Sequence, residues 1–132
     1  MNTEPATAPY ETTYHEPGDL APLRDFVRLH ATALGLPGSR ADLLTLAVSE
    51  LATNTLQHTE GGGRVRLWAS DGRVYCDVID GGPMRVLGRD MPAADALRGR
   101  GLAIVERVCD EVGVEAAAEG TRVRLALDLK EL

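Results

Sequence analysis

Two alternating runs, RVRLWA at 64–69 and RVYCDVI at 73–79, flank the tripeptide Ser70-Asp71-Gly72. An Asp-Gly pair between two period-two runs is a strong β-hairpin signal, because both residues tolerate the positive φ angles that a tight turn requires. A hairpin commits the chain to an antiparallel sheet, and the apolar face of that sheet has to be covered by something else in the sequence.

Helical segments supply the cover. After Pro17-Gly18, Asp19 reads as an N-cap, and Leu20, Leu23, Val27, Ala31 and Leu34 recur at helical spacing until Gly35 and Pro37 stop the pattern, which predicts a helix over 19–34. Ser39 reads as the cap of a longer helix running to about 59, where Gly61-Gly62-Gly63 breaks it. Gly99-Arg100-Gly101 opens a third helix with an apolar stripe of Leu102, Val105, Val108 and Cys109. Strands are expected at 10–15, 112–118 and 122–129. The stretch 80–99, rich in Gly and Pro, reads as one long loop, and long loops in compact domains are commonly functional. Residues 1–9 read as a flexible tail and 10–132 as a single domain. The order strand, two helices, hairpin, loop, helix, hairpin implies an α+β two-layer sandwich, a mostly antiparallel mixed sheet covered on one face by about three helices.

A chain of 132 residues is long enough for one real core, and with aromatics at only 4% that core has to be built from Leu, Val and Ala. Twenty acidic against fourteen basic residues give a net charge of −6, which repels a phosphate backbone, so nucleic acid is an unfavourable partner. Cys76 and Cys109 lie in apolar stretches without metal-ligand or CxxC spacing and are expected to be buried free thiols, which suits a reducing cytoplasm. The N-terminus lacks the charge and apolar pattern of a leader, and no stretch approaches eighteen consecutive apolar residues. A soluble, unexported protein that docks to no membrane is therefore expected.

The segment SELATNTLQHT at 49–59 raises the chemical question. At about 100° per residue, Glu50 and Asn54 fall within about 20° of Leu43 and between Leu46 and Ala47, on what reads as the apolar face of the second helix. Unpaired polar groups there would cost about 1–3 kcal/mol each, and an isolated carboxylate more. Either a neighbouring loop or Arg satisfies them, or a ligand does. An amide oxygen and a carboxylate one turn apart can ligate Mg²⁺ and orient a hydroxyl, which a nucleoside triphosphate site needs. Two glycines around Arg100 at a helix start would let backbone N–H groups approach phosphate, although a lone GxG is also an ordinary turn. In VIDGG, Asp80 leaves a strand end where two glycines allow a tight turn, and its carboxylate can accept a hydrogen bond from an exocyclic amine.

Taken together and in this order, ELATNTLQHT, VIDGG, GRGLAIV and EGTRVRLAL resemble the GHKL superfamily of ATP-binding domains, the Bergerat fold, over about residues 39–129. The resemblance implies that Glu50 is a general base and that Asn54 coordinates Mg²⁺. Asp80 would recognise the adenine amine, with Gly82 making room for the ring and Thr121 supporting the contact. Gly99, Arg100, Gly101 and Leu102 would meet the phosphates at the start of the third helix, His58 would lie within reach of them, and 83–98 would be the ATP lid. The family's DxGxG pattern places a second glycine where this chain has Met84.

Within the superfamily, a short single domain with a leading strand and helix looks like the bacterial anti-sigma-factor serine/threonine kinases. That resemblance implies an ATP- and Mg²⁺-dependent regulator that phosphorylates a serine of an anti-anti-sigma (STAS) partner, can sequester a sigma factor, and, by analogy only, forms a homodimer. The alternative is a non-catalytic, ATP-dependent interaction switch.

Overall fold

The computed structural model describes residues 5, 8–58, 61–80, 102–117 and 120–129. Most of the expected tail, the expected lid at 83–98, Met84, and the expected ligand contacts at Gly82, Gly99, Arg100 and Gly101 lie outside them.

Five strands, β1 (Tyr10–Tyr14), β2 (Gly63–Ser70), β3 (Arg73–Asp80), β4 (Glu111–Ala117) and β5 (Gly120–Asp128), form one sheet in the order β1-β2-β3-β5-β4. All four pairings are antiparallel, so the parallel element that a mixed sheet would contain is absent among the described strands. The β2–β3 turn has Asp71 at φ 54° and Gly72 at φ 79°. Two successive positive φ angles match the right-handed twist of the flanking strands, which is why this dipeptide closes the hairpin.

Alternation sorts the sheet into two faces. Leu67, Cys76, Leu125 and Val112 stand in one cross-strand row, and Val65, Val78, Val123 and Val114 in another. These rows meet α1 (Leu20–Ala33), α2 (Gly38–His58) and α3 (Leu102–Val108) in a single core that includes Leu23, Val27, Leu44, Val48, Leu51 and Val105. The opposite face carries Trp68, Tyr75 and Ala126 as a separate small apolar cluster. Arg124 and Arg66 lie over the Trp68 ring at 5.0 and 5.6 Å.

Two expected helix caps are not observed. Asp19 closes a 3₁₀ turn, Pro17–Asp19, and its carboxylate accepts the backbone N–H groups of His15 at 2.8 Å and Glu16 at 3.1 Å rather than those of α1. Those two amides hold the Asp19 carboxyl below its ordinary pKa. Ser39 lies inside the first turn of α2, which starts one residue earlier at Gly38.

The buried face of α2 is also rotated from the expected one. Leu43 and Leu46 are 37% and 45% exposed, whereas Ala41, Leu44, Val48, Leu51, Ala52 and Thr55 face the core. The helix is apolar almost all round over 43–52, so periodicity alone does not choose the stripe; contact with the sheet and with α1 and α3 does. Thr45 and Thr55, buried in that stripe, donate their hydroxyls to the carbonyls of Ala41 and Leu51 one turn back.

Candidate functional site

The rotation of α2 places Glu50 half-buried on a flank of the core stripe, with Asn54 buried one turn further on. Arg40, Ala47 and Asn54 are seven residues apart and stack along one line of the helix, since seven residues bring the chain nearly two full turns round. At the start of that line Arg40 pairs with Asp110, just beyond the C-terminus of α3, and donates from Nε to the Asp128 carbonyl at 3.2 Å. Asp42, Ser49 and Leu56 form the corresponding line on the other flank, where Arg28 of α1 meets Asp42 at 3.0 Å and Arg24 meets Ser49 at 3.4 Å. Asn54 therefore lies toward α3, with its residue 9% exposed, and Glu50, half-buried, lies one turn before it at the rim. Glu50 has no hydrogen-bond or ion-pair partner among the described residues.

Chain ends converge on the same place. The α2–β2 connection brings Gly63 opposite Asp80, the last residue of β3. The β3–β5 register closes with Ile79 opposite Arg122, so Asp80 and Thr121 occupy the next step of neighbouring strands. Thr121 is buried. α3 ends close to Arg40, two residues before its partner Asp110, and begins at Leu102. His58 is the last residue of α2. For His58, Asp80 and Leu102 the structure places the backbone position; their side chains lie outside the description. The C-terminal turns of α2 with Asn54 and His58, the end of β3 with Asp80 and the start of β5 with Thr121 thus lie at one end of the domain.

Two close backbone approaches fix that end. Gly62 has φ +69°, and a Cβ on it would lie 2.1 Å from the Tyr14 carbonyl oxygen; a Cβ on Gly63 would lie 2.3 Å from the Ile79 carbonyl oxygen. The GGG stretch thus does more than stop a helix. It lets β1 and the end of β3 close around the start of β2.

Asn54 offers a hard oxygen donor of the kind Mg²⁺ takes. Among the described residues no group of three or more His, Cys, Asp or Glu could hold a metal ion. A cation bound through one protein oxygen plus phosphate oxygens and water is the usual Mg²⁺ arrangement with nucleotides, so this donor set fits it. A pocket of about 280 Å³, lined in part by Tyr75, Gly113, Arg124 and Ala126, lies on the helix-free face and is separate from this constellation.

Sequence reasoning missed Asp77, which is fully buried on the helix-free face and accepts two guanidinium hydrogen bonds from Arg124 at 2.7 and 2.9 Å. The signal was present, since Asp77 is the one acidic residue inside the alternating run 73–79 and Arg124 stands directly opposite it.

An all-antiparallel described sheet with helices packed on one face defines a two-layer α+β domain. The chain belongs to the histidine kinase-like ATPase domain family, whose model matches residues 14–127. Among solved structures it is similar to the RsbU and RsbW domains of Rv1364c from Mycobacterium tuberculosis, with a TM-score of 0.70 and 23% identity. That match covers 92% of this chain and 32% of the other, so the chain spans about a third of the protein it resembles. No curated protein matches it. Among the described residues no helix is long and apolar enough to cross a membrane.

Proposed function

We propose that this chain binds ATP with Mg²⁺ and transfers the γ-phosphate to a serine of an anti-anti-sigma (STAS) protein. The observation that carries the reading is the placement of Glu50 and Asn54, one helical turn apart on the flank of α2 that faces α3, within a histidine kinase-like ATPase domain. The similarity to a structure containing an RsbW domain favours the anti-sigma branch of that family.

In this reading Asp80, backed by Thr121, holds the adenine amine at the end of β3, and Gly82 leaves space for the ring. Asn54 supplies the protein oxygen for Mg²⁺, with Gly99, Arg100, Gly101, Leu102 and His58 toward the phosphates and 83–98 closing over them. Bound Mg²⁺ neutralises charge on the phosphate oxygens. Glu50 accepts the proton of the serine hydroxyl as its oxygen attacks the γ-phosphorus; the bond from that phosphorus to the bridging oxygen breaks, and ADP leaves. Phosphoryl transfer depends mainly on positioning and electrostatics, which is what a buried amide and a rim carboxylate on one rigid helix provide.

Calorimetric titration with ATP and Mg²⁺ tests the site. The native chain is expected to bind in about the micromolar range, Asp80→Ala to lose binding, and Asn54→Ala to lose its Mg²⁺ dependence. Glu50→Ala should retain nucleotide affinity while losing phosphotransfer by at least about a hundredfold. If the native chain binds ATP but transfers no phosphate, and Glu50→Ala keeps its control of the partner, the chain is an ATP-dependent interaction switch. If the native chain binds no adenine nucleotide, the site assignment falls.

A further inference from the structure

Tyr14, the last residue of β1, is fully buried, and its hydroxyl oxygen is buried with it. Its backbone partner is Gly63, whose partner on the other side is Asp80. Asp80 in turn stands one step beyond the pair of Ile79 and Arg122, beside Thr121. Positions 14, 63, 80 and 121 therefore form one row across β1, β2, β3 and β5. Two residues along each of β2, β3 and β5 is the row of Val65, Val78 and Val123, whose side chains belong to the core beneath the helices. By the two-residue period of a strand, the row of Tyr14 lies on that same helix-covered face.

Gly63 is what lets the phenol cross this row. A Cβ at Gly63 would lie 2.7 Å from the Tyr14 hydroxyl oxygen and 3.0 Å from Cζ, so the tip of the ring takes the space that a side chain on β2 would fill. Directly opposed Cβ positions in an antiparallel pair are about 4.5–5.5 Å apart. The hydroxyl over Gly63 is thus about one strand spacing from the Cβ position of residue 80, with no side chain between them. A carboxylate on a single methylene arm can close that gap to hydrogen-bonding distance. Thr121, also buried, flanks position 80 from the other side.

The chemistry of the row follows from its donors. A buried phenol needs an acceptor, and an ionised carboxylate is the strongest acceptor a side chain offers. A carboxylate has two oxygens, and a donor that holds one of them fixes the plane of the group and favours its charged form.

We infer that Tyr14 is a positioning residue for adenine recognition, whose hydroxyl donates to one oxygen of the Asp80 carboxylate and leaves the other to accept the exocyclic amine. The inference rests on the assignment of Asp80 to the adenine amine and adds the group that orients it.

Tyr14→Phe removes one oxygen and keeps the ring over Gly63. Tyr10→Phe, the same change on the same strand in the row of Leu67, is the matched control. Calorimetric titration of the native chain and both variants measures affinity for ATP with Mg²⁺ and for purine riboside triphosphate, which lacks the exocyclic amine; thermal melting confirms that each variant is folded. The native chain is expected to prefer ATP. Tyr14→Phe should weaken ATP binding by about tenfold while leaving the amine-free nucleotide within about twofold of native, and Tyr10→Phe should change neither. A role in packing alone would lower both affinities together. Equal changes for the two nucleotides, or none, in folded Tyr14→Phe overturn the inference and leave the ATP site standing. If the native chain binds the two nucleotides equally well, or binds neither, the assignment of Asp80 to the amine falls and the role of Tyr14 falls with it.

Discussion

Cys109 shows how a residue legible in the sequence acquires a measurable consequence from its surroundings. Both cysteines are buried free thiols, as their apolar context predicted. Burial pushes the Cys109 thiol up from an ordinary 9.0 to about 12, and burial raises Cys76 well above the same value. Below pH 9 the thiols are neutral in both folded and unfolded chains and contribute no pH dependence. Above it the unfolded chain loses thiol protons that the folded one keeps, so stability falls with rising pH until the folded thiols ionise too, near 12 for Cys109. Each thiol contributes a slope of about 1.4 kcal/mol per pH unit across that window. Urea unfolding at pH 9, 10 and 11 should therefore show a shallower decline for Cys109→Ala than for the native chain. Parallel declines would mean that Cys109 ionises while folded. Asp77 was less legible: burial of its face by Arg124, Arg66 and Trp68 depends on cross-strand register, which one strand read alone does not contain.

Among elements, β2 and β3 were the most legible because a two-residue turn sets both their partners and their register. The caps were less so. Asp19 and Ser39 are good N-cap types, yet a 3₁₀ turn took up the first and an earlier helix start enclosed the second. The largest difference concerns α2, whose Leu43 and Leu46 misled a reading based on hydrophobicity because its apolar residues nearly surround the axis. Glu50 is half-buried on the flank beside the buried stripe, and Asn54, one turn on, is buried. At the end of α2, the glycines separate two kinds of strand position. Gly63→Ala forces a Cβ to within 2.3 Å of the Ile79 carbonyl oxygen, one residue before Asp80. The β2–β3 pairing has to open there, so a loss of at least about 2 kcal/mol is expected together with weaker nucleotide binding. Gly113 in β4 has nothing within 4 Å of an added Cβ. Gly113→Ala should be neutral or add up to about 1 kcal/mol by restricting the unfolded chain. Chemical denaturation of the two variants, paired with ATP titration, checks the contrast; equal effects would remove the claim that β2 packing shapes the end of β3.

At the scale of the whole molecule, a charge network and the candidate site lie toward opposite ends of α2. The α2 C-terminus, the end of β3 and the start of β5 bring the described candidate residues together. At the other end, a charge network ties the first turn of α2 to the last residues of the sheet. Arg40 pairs with Asp110, whose carboxylate also accepts the Asp128 backbone N–H at 2.7 Å. Arg73 joins Asp128 at 2.6 Å and Glu111 at 2.5 Å, and those two carboxylates, Glu111 foremost, raise the Arg73 pKa and keep it charged. Overall topology was legible from the order of elements, but this network was not, because Arg40 and Asp128 are 88 residues apart. Removing Asp110 leaves the part-buried Arg40 without its carboxylate and the Asp128 amide without its acceptor. Those losses together are worth about 1–2 kcal/mol once the partial exposure of Asp110 is taken into account. Glu50 and Asn54 lie ten and fourteen residues along α2 from Arg40, about 15 and 21 Å at the helical rise. Asp110→Ala should therefore lower the urea midpoint while leaving ATP affinity at the native value. A matching loss of affinity in the folded variant would show instead that α3 is held in its ligand-competent position by Asp110, making the network part of the site.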